Sequence, residues 1–543
     1  MRESNAASSH PRVKAVFRSF DIRHPFALAA QVGKFLREQI TLERAKDEVK
    51  KSLDQRAERF LDLARTHIYE RPDHPYLRLL KLAGCELSDL QALVRRHGIE
   101  PALARLAAEG VYLTSDEFRG KKDIVRGGKS FRVTPADFER RCAPAGYTIE
   151  SSGTRDRPLR SIIYFDWLRL RTFGTGVFFA AHDLFSYSHA IYDAILPGGA
   201  VNHLLVNAKL GKATDRWFAR WVPERSPFHG LAHHLSTYLM VVVGKRNGPG
   251  FPLPRFIGFE DIGRIVRWIE REKRARKRCY VITIASSAAR IARAARQLGV
   301  SLDGTLFNVA GEPLTEAKEE AIRHAGARLT SRYSYGGNNS AGLGCANPSF
   351  PDEVHVNQNT LALIRHPAPL DVNGASIHPL LCTTLYAEAP RMLLNVANGD
   401  YAILEERSCG CELERAGLPL HLHHIRSFEK LTSEGMNYFY GDLFQLLEQV
   451  FPAEFGGAPG DYQLVEEEDG NGRTRLTLVV HPHIQGLDEA KALSRLQDAF
   501  AAGSWGNEFM SRIWRNANTF RIQRKIPYTS PRGKILPLHI PRS

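Results

Sequence analysis

Apolar residues recur at three- and four-residue spacing through ERAKDEVKKSLDQRAERFLDLARTHI (43–68), which predicts amphipathic helix. HPYLRLLKLAG (74–84) continues the pattern after a proline break. SDLQALVRRHGIEPALARLAAEG (88–110) reads as two short helices, with Ser88 as N-cap and Gly110 as stop. Lys121 to Arg132 is basic and glycine-containing, and is expected to be a loop. Residues 1–145 are therefore expected to be mainly helical. From Ile149 the texture changes. CYVITIASS (279–287), GTLFNVAG (304–311) and ARLTSRYSY (327–335) are strand-like runs. Between them lie the helical AARIARAARQLG (288–299) and TEAKEEAIRHAG (315–326), the latter stopped by Gly326. That βαβαβ succession predicts a mainly parallel sheet, with ligand loops at the carboxyl ends of its strands. Those loops are AGEP (310–313) and YGGNNSAG (335–342). Near the end, YQLVEEE and RTRLTLVVHP flank the hairpin signal Asp469-Gly470-Asn471-Gly472, and DEAKALSRLQDAFAAG follows as a helix. These predict a small α+β terminal domain.

Length and composition narrow the class. At 543 residues the chain is too long for one compact core. No apolar run is long enough to span a bilayer, the first residues lack a signal-type segment, and seven cysteines are sparse and odd in number. The expectation is a soluble cytoplasmic protein with reduced thiols or a metal. A net charge of +15 favours polyanionic partners such as nucleotide, coenzyme A, an acidic carrier protein or nucleic acid. The densest basic run, Arg264 to Arg278, contains Ile265, Trp268 and Ile269 at helical spacing, so a solvated helix face accounts for it. It lacks the interleaved aromatics of a nucleic-acid stacking surface.

Chemistry concentrates between Asn398 and Gly435. Asn398-Gly399-Asp400 places a carboxylate in a turn, Cys409-Gly410-Cys411 pairs two thiols, and Arg426 precedes a charged, breaker-containing segment. Upstream, Ser151-Ser152-Gly153-Thr154 is a hydroxyl-rich turn that could cradle phosphate oxygens, although any capped turn can look the same. At the end of the chain, Ser530-Pro531-Arg532-Gly533-Lys534 sets one lysine after a glycine. In this order the pieces resemble the adenylate-forming superfamily, specifically its phenylacetate–coenzyme A ligase and acyl-protein synthetase branch, over residues 50 to 536. SSGT is similar to the phosphate loop, and AGEP (Gly311, Glu312, Pro313) to the loop along the adenine. Tyr335-Gly336-Gly337-Asn338-Asn339 stands where the family has Tyr-Gly-x-Ser/Thr-Glu. Gly399-Asp400 resembles the ribose-binding Gly-Asp, Arg426 to Gly435 the hinge, and PRGKI the loop bearing the adenylation lysine.

The resemblance implies a large α/β domain (146–425, preceded by the helical 1–145) and a small mobile α+β domain (426–543). It implies activation of a carboxylic acid by ATP and magnesium to an acyl-adenylate, then acyl transfer to coenzyme A, a carrier-protein thiol or an amine. Lys534 would be the catalytic cation. Asp400 would hold the ribose and Arg426 would add donors nearby. Tyr335 would stack on adenine, and Ser151, Ser152 and Thr154 would hold phosphates. A homodimer is allowed. Departures point to a rival, a nucleotide-binding protein of the same fold that does not activate acids. Asn339 replaces the family's magnesium-holding glutamate with a poorer hard-cation ligand, and Asn338 replaces the hydroxyl before it. The phosphate loop lacks its second glycine and its lysine. Cys345 and His355 with Cys409 and Cys411 make a C-x9-H…C-x-C set that suits closed tetrahedral zinc, and unliganded reduced thiols are the alternative. His182 and His189 would border the acyl pocket by family position or be buried, hydrogen-bonded histidines. His421, His423 and His424 should line a strand.

Overall fold

The computed structural model describes residues 25–140, 146–150, 160–220, 227–258, 261–311, 314, 316–335, 339–372, 375–427, 430–433, 436–439, 446–457, 460–468, 474–501, 520–528 and 538–539. Its centre is a twelve-stranded sheet. Six strands run parallel, in the spatial order Pro254–Ile257, Arg216–Arg220, Ser188–Tyr192, Cys279–Ile284, Thr305–Ala310, Arg328–Tyr335. The three strands expected from the apolar runs are among them. Ser188–Tyr192 is buried at every position, and Cys279–Ile284 and Thr305–Ala310 at all but the last, as strands covered on both faces must be. Helices Gly263–Arg274, Ala285–Gln297 and Glu316–His324 lie among the crossover segments. The basic helix buries Ile265, Val266, Trp268 and Ile269 and turns its charges outward, where Arg274 pairs with Glu270.

Beyond Tyr335 the sheet continues antiparallel through Asn339–Gly344, Val354–Val356, Leu420–Ser427, Val396–Glu406, Pro379–Thr384 and Leu361–Arg365. The link between Val354–Val356 and Leu420–Ser427 joins segments over sixty residues apart in sequence, so local pattern could not supply it. Helices Leu42–Asp54, Arg56–Ala64, Pro75–Leu82, Leu87–His97 and Ile99–Ala108 form the helical start. Its residues Phe60, Tyr76 and Leu103 share a core with Tyr333, Val356 and Leu381 of the sheet. The cap of Leu87–His97 is Glu86 and not Ser88: Glu86 and Asp89 form a reciprocal capping box two residues earlier than the serine suggested. Residues 121–132 are not a plain loop either. Ile124–Arg126 pairs with Lys129–Phe131 around Gly127 and Gly128, both at positive φ.

Helix Phe165–Ala181 carries most of the remaining core. Its sequence is apolar nearly all round, and it packs against Leu42–Asp54, Ala200–Lys209 and strand Asn339–Gly344. A Cβ on Gly176 would come within 2.9 Å of the Ala45 Cβ, and one on Gly174 within 2.9 Å of the Asn357 Oδ1. The two glycines allow the close approach. At the carboxyl end of the chain, Phe520–Arg524, Thr474–Val480, Tyr462–Glu468 and Leu538–His539 form a second, four-stranded sheet, covered by helix Glu489–Ala501. The expected hairpin turn at 469–472 lies outside the described residues, while its two flanking strands pair antiparallel from Tyr462↔Val480 to Glu468↔Thr474.

Candidate active site and metal centre

The parallel strands end at one level. Ser331 pairs with Val309 and Val309 with Thr283, so Gly311 and Tyr335 share the carboxyl edge of the sheet. Ligands of open α/β sheets bind in the crevice outside that edge. Asp400 lies beside it on the strand Val396–Glu406 and is 8% exposed. The Tyr333 hydroxyl and the Asn398 side-chain amide each donate to its Oδ2 at 2.8 Å. Gly399, at φ +84°, lies within that strand where its pairing with Pro379–Thr384 shifts register, so a bulge presents the carboxylate where the sequence suggested a turn. Two donors on one oxygen fix the carboxylate in orientation, as a group that receives hydroxyls should be fixed. Asp400 was legible in the sequence. Tyr333 was not singled out, although its two-residue spacing from Tyr335 puts both side chains on one face of the strand.

Two expected ligand residues are placed otherwise. Tyr335 is 1% exposed, and its hydroxyl donates to the carbonyls of Leu380 (2.8 Å) and Val396 (2.7 Å). Its ring is core and offers no face for an adenine. The residue instead ties the end of its own strand to the antiparallel half. Arg426 pairs in register with Tyr401, one residue on from Asp400, so strand alternation turns it to the other face. There it donates to Asp352 at 3.1 Å, and Asp352 also accepts the amides of His424 and Ile425. Ser151, Ser152, Gly153, Thr154, Glu312, Pro313, Gly336, Asn338 and Lys534 lie outside the described residues, as does the Asn339 side chain. His182 and His189 are buried: the His182 Nε2 faces the Gly344 carbonyl at 3.0 Å, and the His189 Nε2 the Leu184 carbonyl at 2.8 Å. Burial holds both neutral, His182 down to about 4 and His189 down to about 3. His421, His423 and His424 lie on the expected strand.

Cys345, His355, Cys409 and Cys411 come together, with all four ligand atoms within 4.8 Å of one another. The His355 Nε2 lies 3.2 Å from the Cys411 Sγ and 3.5 Å from the Cys409 Sγ. Tetrahedral zinc with ordinary Zn–S and Zn–N bonds separates its ligand atoms by about 3.5–3.8 Å. The surroundings match that role. The His355 Nδ1 faces the Leu418 carbonyl at 2.7 Å, which leaves Nε2 turned toward the sulfurs. Glu414 accepts the Cys409 amide at 2.8 Å and the Ser408 hydroxyl at 2.6 Å, folding the Cys-Gly-Cys turn around Gly410 at φ +71°. Arg407 bonds the buried Glu353 and places Nη2 3.7 Å from the Cys345 Sγ, bringing positive charge to the thiols. Hydrogen bonding with Cys345, then His355, holds the Cys411 thiol down at about 2, while the same Cys345–Cys411 bond and burial push Cys345 up. The donor set fits a closed four-coordinate metal. Glu353, Arg407 and Glu414 escaped sequence reading because single charged residues carry no spacing signature.

No family model and no curated protein matches the chain. Among solved structures it is similar to 2-hydroxyisobutyryl-CoA ligase in complex with 2-HIB-AMP and CoA, at 14% identity and a TM-score of 0.45 over 93% of this chain and 91% of that one. It is similar to the amide bond synthetase McbA from Marinactinospora thermotolerans, at 11% identity and a TM-score of 0.39 over 93% and 97% of the two chains. Over 72% of its length, and 68% of the other, it is similar to o-succinylbenzoate CoA synthetase from Bacillus subtilis, at 12% identity and a TM-score of 0.36. By overall trace the chain is thus similar to ligases and synthetases.

Proposed function

We propose that the chain is an adenylate-forming enzyme that activates a carboxylic acid with ATP and passes the acyl group to coenzyme A or another thiol or amine. The observation that carries this reading is the carboxyl edge of the sheet. Gly311, the end of strand Arg328–Tyr335 and a doubly anchored Asp400 converge there, in the sequence order in which the family arranges its nucleotide loops.

Asp400 accepts the ribose hydroxyls, with Tyr333 and Asn398 donating to its Oδ2. The hydroxyls of Ser151, Ser152 and Thr154 receive the β- and γ-phosphates. The substrate carboxylate oxygen attacks the α-phosphorus, and the bond to pyrophosphate breaks. Charge moves onto the leaving group, so a positioned cation, Lys534, stabilises the transition state more than the ground state. The acceptor's sulfur or nitrogen then attacks the acyl carbon, AMP leaves and the acceptor's proton passes to solvent. Asn339 offers a neutral oxygen in place of a carboxylate, so magnesium would be held mainly by the phosphates. Tyr335 anchors the end of its strand, and zinc on the four Cys/His ligands would hold the strands that carry the site in register. Asn339 is also what favours the second reading, a nucleotide-binding protein that does not activate acids.

Pyrophosphate release from ATP and magnesium, across aryl and aliphatic acids, tests the proposal. We expect acid-dependent release that Lys534→Ala lowers on the order of 10²–10³-fold, the usual cost of removing one transition-state donor. Nucleotide binding with no release for any acid would move the assignment to the second reading.

A further inference from the structure

Helix Phe165–Ala181 and strand Arg328–Tyr335 each place one arginine between the sheet and the helical layer formed with Ala200–Lys209. The Arg171 Nε and Nη1 are sealed from solvent and make no hydrogen bond, and the Arg332 Nε is likewise unpartnered. The Arg332 Nη1 donates at 2.9 Å to the His203 Nε2, which must be neutral to accept. No carboxylate pairs with either arginine among the described residues. Asp193, the acidic group whose charge reaches Arg332, uses its Oδ1 on the Ala194 amide at 2.8 Å. Burial, reinforced by the positive charge of Arg332, holds Arg171 down at about 10, and burial together with both arginines keeps His203 neutral. All three lie deep in the domain and yet keep partial exposure, as side chains lining a crevice do.

Two neighbouring buried guanidiniums without an anion are costly, because each loses its hydration and repels the other. Folded proteins keep such groups where a ligand completes them. The position agrees: Arg332 follows Ser331 at the level of Val309 and Thr283, at the carboxyl edge where ligands bind. It projects from the face opposite Tyr333 and Asp400, so a molecule reaching over the strand end would meet Asp400 on one side and the arginines on the other.

From this arrangement we infer that Arg171 and Arg332, with His203, form an internal anion site that takes a second carboxylate on the acyl substrate, remote from the carboxylate that is activated. The inference rests on the acid-activation reading for its substrate class. A guanidinium fork matches a carboxylate in two parallel hydrogen bonds, which favours a dicarboxylic acid over a neutral acyl chain of the same length.

The test compares benzoate with terephthalate and hexanoate with adipate. Binding is followed by calorimetry with AMP present and turnover by pyrophosphate release, in wild type, Arg171→Met and Arg332→Met. We expect the dicarboxylates to be favoured about 10–100-fold, the value of a charge-assisted hydrogen bond. Each variant should lose that preference while its turnover of the monocarboxylates is kept. Melting temperature separates this from a structural role, since removing an unpaired buried charge should leave it unchanged or raised. A fall in both variants would mark the arginines as structural and count against the inference. Arginine-dependent binding of dicarboxylates without pyrophosphate release from any acid would uphold the anion site and remove the acid-activation reading. No arginine-dependent binding of either dicarboxylate would overturn the inference, whether or not monocarboxylates are turned over.

Discussion

His189 stands on an inner parallel strand with both ring nitrogens engaged. Nε2 faces the Leu184 carbonyl at 2.8 Å, and Nδ1 meets the Asn207 amide at 3.3 Å. Aromatic rings close around it, the Tyr280 centroid 4.8 Å away, and the Lys212 charge adds to the effect of burial. Its pKa is depressed from 6.5 to about 3, so below about pH 6.5 the unfolded chain takes up a proton that the native His189 refuses. Stability from this group is complete above the unfolded pKa and is lost as pH falls toward 3, by about 1.4 kcal/mol per pH unit where the slope is steepest. Urea midpoints between pH 7.5 and 4.5 should therefore fall less steeply in His189→Gln than in wild type. Parallel curves would show that His189 does not carry the effect. How much was legible at this scale depended on the kind of residue. Asp400 could be singled out because a carboxylate after Asn-Gly marks a departure from regular backbone, which here is a bulge within a strand. Tyr335 was misread because an aromatic beside a glycine-rich turn looks like a ligand contact, whereas strand alternation puts it in the core. Arg171 and Arg332 carried no signal, since among so many basic residues only burial sets them apart.

At the scale of elements, strand Asn339–Gly344 joins the two halves of the sheet and leads directly to the first metal ligand, Cys345. It achieves this with small residues. A Cβ on Gly344 would fall 1.9 Å from the Thr330 Oγ1 and 2.6 Å from the Ser331 carbonyl oxygen, and one on Gly342 would fall 2.4 Å from a Val354 methyl. Tyr333 pairs with Gly342 and Arg332 with Leu343, and the register then shifts by a bulge. Neither glycine needs positive φ, so space alone demands them. Gly344→Ala should cost about 3 kcal/mol, because the opposing carbonyl is backbone and cannot turn away. A change in the urea midpoint worth under about 0.5 kcal/mol would show that the strand pair can separate freely. The parallel strands were legible because strands buried on both faces read as unbroken apolar runs between helices with clear stops. Of the antiparallel strands in that sheet beyond 354, the one carrying His421, His423 and His424 was legible and the others were not, since their pairing is set by distant partners. The Ile124–Phe131 hairpin was hidden because its charged, glycine-centred sequence is that of a loop.

For the molecule as a whole, two kinds of connection set how it should come apart. Among the described residues, the apolar core of 446–538 contains none from elsewhere in the chain, so it has the means to unfold by itself. In the larger part, the Cys345–His355–Cys409–Cys411 cluster ties the loop between two sheet strands to the segment that follows Asp400, linking stretches more than fifty residues apart. Sequence reading brought the four Cys/His side chains together, because thiol spacing is a property of composition. How the cluster meets the sheet depended on the pairing of Val354–Val356 with Leu420–Ser427, which no local pattern reveals. A metal that binds only the folded form adds stability by mass action, about 2.7 kcal/mol when free metal exceeds the dissociation constant a hundredfold. Because the ligands all belong to the larger part, that stability should go to one body and not to the other. Calorimetry of the full chain should therefore resolve two transitions, with about one zinc per chain in the purified protein. Stripping the metal with a strong chelator should lower the transition of the larger part by about 5 °C and leave the other in place, and added zinc should restore it. Cys411→Ser should reproduce the stripped state without chelator. Equal shifts in both transitions would show that the two cores melt as one body. No bound zinc, and no shift on adding it, would leave the four side chains as a buried cluster of thiols and imidazole held by Glu414 and the Leu418 carbonyl alone.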